Sequence, residues 1–215
     1  LWFKKDLRIH DNEALFEASK NFRLLPIYII ENDLWSQNTY SDRQWQFCKE
    51  SLIDLNKDLK KLGQQLIIRT GDVIEEFEEI SKSFKIMGIY SHQETGDYYT
   101  YKRDKKIRNW AIKNNIPWRE YLQFGVFRGK TNRDIWANNW NKHLEKKIPQ
   151  IKLKLNPVNF RLGNIPSDDF FKFKGDKCLG RLKGGRKEGL LRLEIFLRKD
   201  INLYRKNISN PDKSK

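Results

Sequence analysis

Over the first half of the chain, apolar residues come in short unbroken runs. They are LWF at 1–3, LLPIYII at 24–30, QLIIR at 65–69, IMGIY at 86–90 and IPWREYL at 116–122. Runs this short, bounded by polar clusters, predict strands buried on both faces. Between them the apolar positions recur at spacings of three and four, the signature of helices with one buried face. The clearest spans 42–62, with Cys48, Leu52, Leu55, Leu59 and Leu62 in one stripe. Ser41 and Gln44 resemble a capping box at its start, and Gly63 stands where a C-terminal glycine belongs. A second begins at Asp72 and carries Val73, Phe77, Ile80 and Phe84; a third, near 99–114, carries Ile107, Trp110 and Ala111; a short one near 12–20 carries Ala14, Leu15 and Ala18. Strand–helix alternation at this spacing requires right-handed crossovers. It predicts an α/β domain over residues 1–128, built on a five-stranded, parallel, doubly wound, Rossmann-like sheet. Ligands of such sheets collect at the carboxyl ends of the strands. The polar clusters KKDLRIHDN, ENDLWSQNTYS, TGD and HQETGD follow strands one to four there.

Beyond that domain the pattern changes. Residues 129–180 have scattered prolines and weak periodicity, and predict an interdomain connector with one short helix around Trp136 and Trp140. Residues 181–215 begin a helical element, in which Leu190, Leu193, Leu197, Ile201 and Tyr204 form an apolar face. A lone helix of that length is marginal in water, so the face needs a partner. With Leu rather than Met first, and almost only polar or turn-forming residues after Tyr204, both ends are expected to be cut edges of a longer protein.

Charge and composition sharpen this picture. Lysine and arginine number 43 against 28 acids, a net charge of +15, which favours polyanionic partners such as nucleic acid. Hydrophobic content of 38% is too high for a disordered chain. Cys48 and Cys178 make no disulfide framework, which points to a reducing, cytoplasmic setting. His10, His92 and His143 lack metal-ligand spacing, and no apolar run is long enough to span a membrane. GVFRGKT at 125–131 is one residue short of a phosphate loop, and neither a dinucleotide fingerprint nor a nucleophile elbow is present. Asp6, Asp11, Glu31, Asp33 and Glu94 can gather at the sheet edge, but solvated loop carboxylates are the simpler reading. No catalytic or metal-binding residue is assigned. On the fold alone, a non-catalytic nucleotide- or nucleic-acid-binding module stands as an alternative function.

Three stretches resemble one known family. WFKKDLRIHDN at 2–12 resembles the opening of photolyases and cryptochromes, with Lys4 where arginine is usual. There Asp6 and Arg8 are expected to pair, and Asp11 or Asn12 to cap the next helix. DYYTYKRD resembles the family's E-P-Y-x-x-x-R-D loop through Asp97, Tyr99, Arg103 and Asp104; HQETG and QFGVFRG are similar to one bacterial branch. GGRKEGLLRLEIFLRKDINLYRKNISNP resembles the entry to the family's helical flavin domain, with Tyr204 and Pro211 at the family's spacing. The resemblance implies a blue-light flavoprotein, a DNA photolyase or cryptochrome, that acts on or near DNA. It implies FAD contacted by Tyr204, and an antenna chromophore of folate or deazaflavin type approached by Glu94 and Asp97. It also implies that the segment gripping the flavin phosphates lies beyond Lys215, so that this piece alone is inactive. Trp110, Trp118, Trp136 and Trp140 read as core and interface aromatics.

Overall fold

The computed structural model describes residues 1–215 apart from 21, 22, 130, 131, 149, 150, 152–154, 157, 176, 211 and 213–215. In chain order the elements are β1 (Trp2–Phe3), α1 (Glu13–Ser19), β2 (Ile27–Ile30), α2 (Asn32–Trp35), α3 (Asp42–Lys61), β3 (Ile67–Thr70) and α4 (Val73–Ser83). There follow β4 (Ile89–His92), α5 (Tyr98–Lys113), β5 (Trp118–Tyr121), α6 (Arg133–Leu144), α7 (Arg186–Ile195), a π-helical turn (Phe196–Asp200) and α8 (Ile201–Asn207).

Each predicted apolar run overlaps a strand, and every strand pairing is parallel. The strands form two ladders rather than one five-stranded sheet. β1, β2 and β3 pair in that order, with Ile27 opposite both Trp2 and Ile67, while β4 pairs with β5 through Ile89 and Trp118. β4 lies beside β1 without ladder bonds. β1 is only two residues long, and the next backbone N–H, that of Lys4, is taken by Asp6 Oδ1 at 2.9 Å.

Alternation along the strands sends side chains to two faces. Phe3, Tyr28, Ile30 and Ile68 meet Leu15 of α1 and Leu52, Leu55 and Leu59 of α3 on one face. Trp2, Ile27, Ile29, Ile67 and Ile89 meet Val73, Phe77 and Ile80 of α4 and Ile107 of α5 on the other. Helices therefore cover both faces, as the alternation requires.

The helix ends follow local chemistry. Gly63, with φ 81°, closes α3: its N–H bonds the Lys60 carbonyl and the N–H of Gln64 bonds that of Leu59, each at 3.0 Å. Asn115, with φ 54°, does the same for α5. Asn12 and Asp72 cap α1 and α4 through their side chains. Ser41 occupies the N-cap of α3, but its hydroxyl donates to Gln44 Oε1 at 2.8 Å and does not cap the backbone.

The described residues between 155 and 173 lie over the core. The Leu155 N–H bonds the Leu62 carbonyl at 2.8 Å, and the Ile68 N–H bonds the Leu162 carbonyl at 2.7 Å, which covers the open edge of β3. Phe171 packs against Trp35 and Trp45 with ring centroids 6.0 and 5.0 Å away. Trp136 and Trp140 do sit on a helix, α6, and stack at 6.3 Å.

The paired glycines before α7 lock onto α3. A Cβ on Gly184 would overlap the Phe47 carbonyl oxygen, and Gly185 has φ 102°. Their N–H groups bond Glu50 Oε2 at 2.7 Å and Ser51 Oγ at 3.0 Å, while Arg181 grips Glu50 with both terminal nitrogens at 2.6 and 2.9 Å. Past this anchor, α7 and α8 bury no residue.

Candidate functional site

The carboxyl ends of β1, β2 and β4 converge on one guanidinium. Arg103 projects inward from α5 and bonds Glu31 after β2 at 2.6 Å, Asp104 Oδ1 at 2.8 Å, and Glu94 after β4. Lys4 leaves β1 to meet Asp104 at 3.4 Å and Glu120 of β5 at 3.9 Å. Arg128 adds a bond to Glu120 at 2.9 Å. Both Lys4 and Arg103 lie over the Trp2 ring, at 4.8 and 4.9 Å from its centroid. Buried charges survive only when paired this fully. Burial would lower the Arg103 pKa, but Glu31, Glu94 and Asp104 outweigh it and hold the guanidinium firmly protonated. Glu31 shares that cation with Glu94 and Asp104, which Lys5, Lys4 and Arg128 also reach. Burial accordingly wins at Glu31, against the pull of Arg103, and moves its pKa up to about 7.

A second knot fixes the loop after β1. Asp6, fully buried, bonds His92 Nδ1 at 2.7 Å and accepts from Asn12 Nδ2 at 3.3 Å. Burial would raise its pKa, but His92 and the Lys4 N–H prevail and hold it below the usual carboxylate range. The expected Asp6–Arg8 ion pair does not form. The Arg8 guanidinium turns to Asp11, donating to its carbonyl at 2.8 Å, because Asp6 is already enclosed by His92, Asn12 and the backbone. The five acids therefore do not gather: Glu31 and Glu94 share Arg103, Asp6 is enclosed, and Asp11 and Asp33 are exposed.

Beside the charge network lies a cleft of about 420 Å³ at the carboxyl ends of β1 and β2. Leu7, Leu34, Trp35, Tyr40 and Phe47 give it apolar and aromatic walls. Lys5, Arg8, Glu31, Glu94 and Arg103 supply polar groups, and Gly185 and Arg186 of the anchored segment close one side. Tyr28 and Cys48 also line it, with oxygen and sulfur 3.2 Å apart. Burial pushes the Cys48 thiol up to about 12, so it is no nucleophile near neutral pH. The Trp35 indole nitrogen is buried and has no hydrogen-bond partner among the described residues. Aromatic walls with a few convergent polar groups suit a flat, partly polar ring system. An apolar cavity of about 370 Å³ at the opposite strand ends, bordered by Phe77, Phe84 and Met87, lacks such a buried polar cluster.

The residues singled out in the sequence fall in three places. Glu94 lines the cleft and also pairs with Lys5 at 3.3 Å. Asp97 does not line it; it caps α5 by accepting from the Thr100 N–H at 2.9 Å and receives the Tyr40 hydroxyl at 3.2 Å. Burial would raise Asp97, but these bonds hold its pKa down. Tyr204 lies far along the chain on α8, 50% exposed and edge-on to Phe196 at 5.6 Å. Pro211 lies outside the described residues. Glu31, Arg8 and Arg103 were also named in the sequence, but the aromatic and thiol groups of the cleft were not read as site residues. Cys48 belongs to a stripe that reads as core, and Trp35 sits on the four-residue α2, too short for periodicity. The Arg-Asp pair at 103–104 was the usable signal, as two adjacent charges on the inner side of a helix. Among the described residues no three His, Cys, Asp or Glu converge as metal ligands, and no helix is long and apolar enough to cross a membrane.

A parallel α/β domain with a buried charge knot and a lined cleft at its strand ends defines the class; comparison with known proteins supplies the family. The family model described as DNA photolyase matches residues 1–128, and the chain belongs to that family. It is 34% identical over 102 residues to the chloroplastic/mitochondrial cryptochrome DASH of Arabidopsis thaliana, covering 44% of this chain and 18% of that one. It is 32% identical over 126 residues to the (6-4)DNA photolyase of the same plant, covering 54% and 22%. The fold matches the Synechocystis cryptochrome with TM-score 0.73 at 20% identity, over 96% of this chain and 47% of that one. It also matches an archaeal photolyase from Sulfolobus tokodaii, solved with two FAD molecules, with TM-score 0.66 at 24% identity, over 89% and 45%. The chain thus spans less than half of these solved relatives.

Proposed function

We propose that this chain is the N-terminal, light-collecting part of a blue-light flavoprotein, a photolyase or cryptochrome, and that its cleft holds an antenna chromophore of folate or deazaflavin type. The observation that carries this is the cleft itself: aromatic walls and a charged end, in a chain of this family. Such residues fit a flat heteroaromatic group. Trp35, Tyr40 and Phe47 would hold its faces, and Glu31 and Arg103 would bond its polar edge. Glu31, with a pKa of about 7, can donate as well as accept near neutrality. Glu94 orients Arg103, and Asp97 acts one step back by orienting Tyr40. A bound antenna chromophore absorbs light and passes on the excitation; the protein's part is to orient it and exclude water.

Residues 1–128 form the antenna domain in this reading, 129–180 the connector and 181–215 the start of a helical FAD domain. The described residues build no cradle for FAD. They offer Tyr204 as one aromatic contact, to be completed elsewhere in a longer chain. DNA is the proposed partner of the whole protein, in a reducing, cytoplasmic compartment.

The test is a fluorescence titration of the chain with a deazaflavin and with a reduced folate. Saturable one-to-one binding of one of them is expected, and Phe47→Glu, at a partly exposed wall position, should weaken it at least about tenfold, the loss of one buried aromatic contact. Binding of neither, or equal binding by the variant, contradicts the proposal.

A further inference from the structure

The helix α5 presents to solvent an arc that carries Tyr98, Tyr101, Lys102, Lys105, Lys106 and Lys113. Its one acid, Asp104, is buried and turned inward to Arg103 and Lys4. Three exposed lysines at or near the ends of other helices pair with an acid three residues before them: Lys20 with Glu17, Lys61 with Asp58 and Lys82 with Glu79. The four lysines of α5 have no such partner among the described residues. Instead, Lys102 lies 4.3 Å from the centroid of the Tyr98 ring and Lys105 lies 4.5 Å from that of Tyr101. The same Tyr–Lys step, four residues long, thus occurs twice. Both rings stay open to water, at 69% and 55% exposure.

From this face we infer that α5 is a docking surface for single-stranded nucleic acid, distinct from the cleft, with which it shares only the buried Arg103. Unpaired ammonium groups attract phosphates, and exposed aromatic rings stack on unpaired bases; the combination is the chemistry by which single strands are held. An acidic peptide would satisfy the lysines but leave the tyrosines without a role, and a duplex hides its base faces. The 16 residues of α5 run about 24 Å, the scale of a site for a few nucleotides. The neighbouring helix α4 bounds the site: its Glu78 accepts from the Trp110 indole at 3.1 Å, and Glu75 and Glu79 add negative charge. That acidic border repels phosphates and keeps the strand on the tyrosine side.

Fluorescence anisotropy tests this, using the 215-residue chain and a labelled oligothymidylate of about 12 nucleotides across a salt series. Wild type should bind saturably. Tyr98→Ala with Tyr101→Ala should weaken binding about tenfold or more while leaving the salt slope unchanged. Lys102→Glu, Lys105→Glu and Lys106→Glu together should reduce the slope by about two. All five positions are exposed, and circular dichroism verifies the fold. Wild-type affinity in both variants would overturn the inference, since the strand would then be held elsewhere. An unchanged tyrosine variant with equally tight duplex binding would reduce the face to a general polyanion surface, also against it. So would capture by phosphatidylserine vesicles with the oligonucleotide left free.

Discussion

Arg103 is the residue on which the strand ends depend. It pairs with Glu31, Glu94 and Asp104 through side chains that are all nearly buried, so its removal leaves Glu31 without its cation and Glu94 and Asp104 with only Lys5, Lys4 and Arg128. Arg103→Met should destabilise the domain by about 3–5 kcal/mol, as for other broken buried pairs, measurable by urea unfolding. A loss under about 1 kcal/mol would mean that water reaches the cluster. Glu31 gives the same cluster a pH signature. Its pKa rises from 4.5 unfolded to about 7 folded, so the folded state binds more protons between those values. The stability this contributes is complete below 4.5, falls as pH rises and is lost above about 7. On the order of 3 kcal/mol is at stake. Unfolding measured between those pH values should show this slope, and Glu31→Gln should remove it. At this scale the sequence is partly legible. A cap at Asp11 or Asn12 follows from position and side-chain chemistry, and the structure places it at Asn12. The Asp6–His92 bond does not, because it joins residues 86 apart whose meeting depends on the order of strands in space.

At the scale of elements, periodicity is a good guide wherever a helix has a long buried stripe. α3 and α4 begin and end within a residue or two of their expected bounds, because Gly63 and Asp72 mark those ends chemically. α2 is invisible to periodicity, being a single turn held by the packing of Leu34 and Trp35. The helix after Gly185 is interrupted at Phe196–Asp200 by a π turn, which no spacing of apolar residues announces. The glycine pair carries a clearer prediction. Gly184→Ala should push the segment off α3, since the added methyl meets the Phe47 carbonyl. Limited proteolysis should then cut near residues 178–190 much faster, while the melting midpoint of the α/β core stays within about 2 °C. Unchanged cleavage would show that Arg181 and Glu50 alone hold the anchor.

At the scale of the whole molecule, the two halves of the chain differ in how far they bury themselves. The α/β part has helices on both sheet faces, and the backbone at Leu162 covers the β3 edge. From Leu190 to Ile208 the apolar side chains stay about half exposed. Such a surface drives association. Sedimentation velocity should show self-association that grows with protein concentration, and Leu190→Glu with Leu197→Glu should suppress it. A wild-type monomer at all concentrations would contradict this. The parallel α/β class was readable because every apolar run became a strand. The division into ladders of three and two was not, because it depends on where the backbone leaves β1. The cleft was only foreshadowed, as polar clusters at strand ends, since its walls come from α2, α3 and the loop before α7. A crystal structure of the chain grown with its tightest-binding deazaflavin or folate tests the central claim most directly. The account predicts the ring between Trp35 and Phe47, with its polar edge toward Glu31 and Arg103. A ring seated instead beside Phe84 and Met87 at the opposite strand ends, or none bound at saturating concentration, would contradict it.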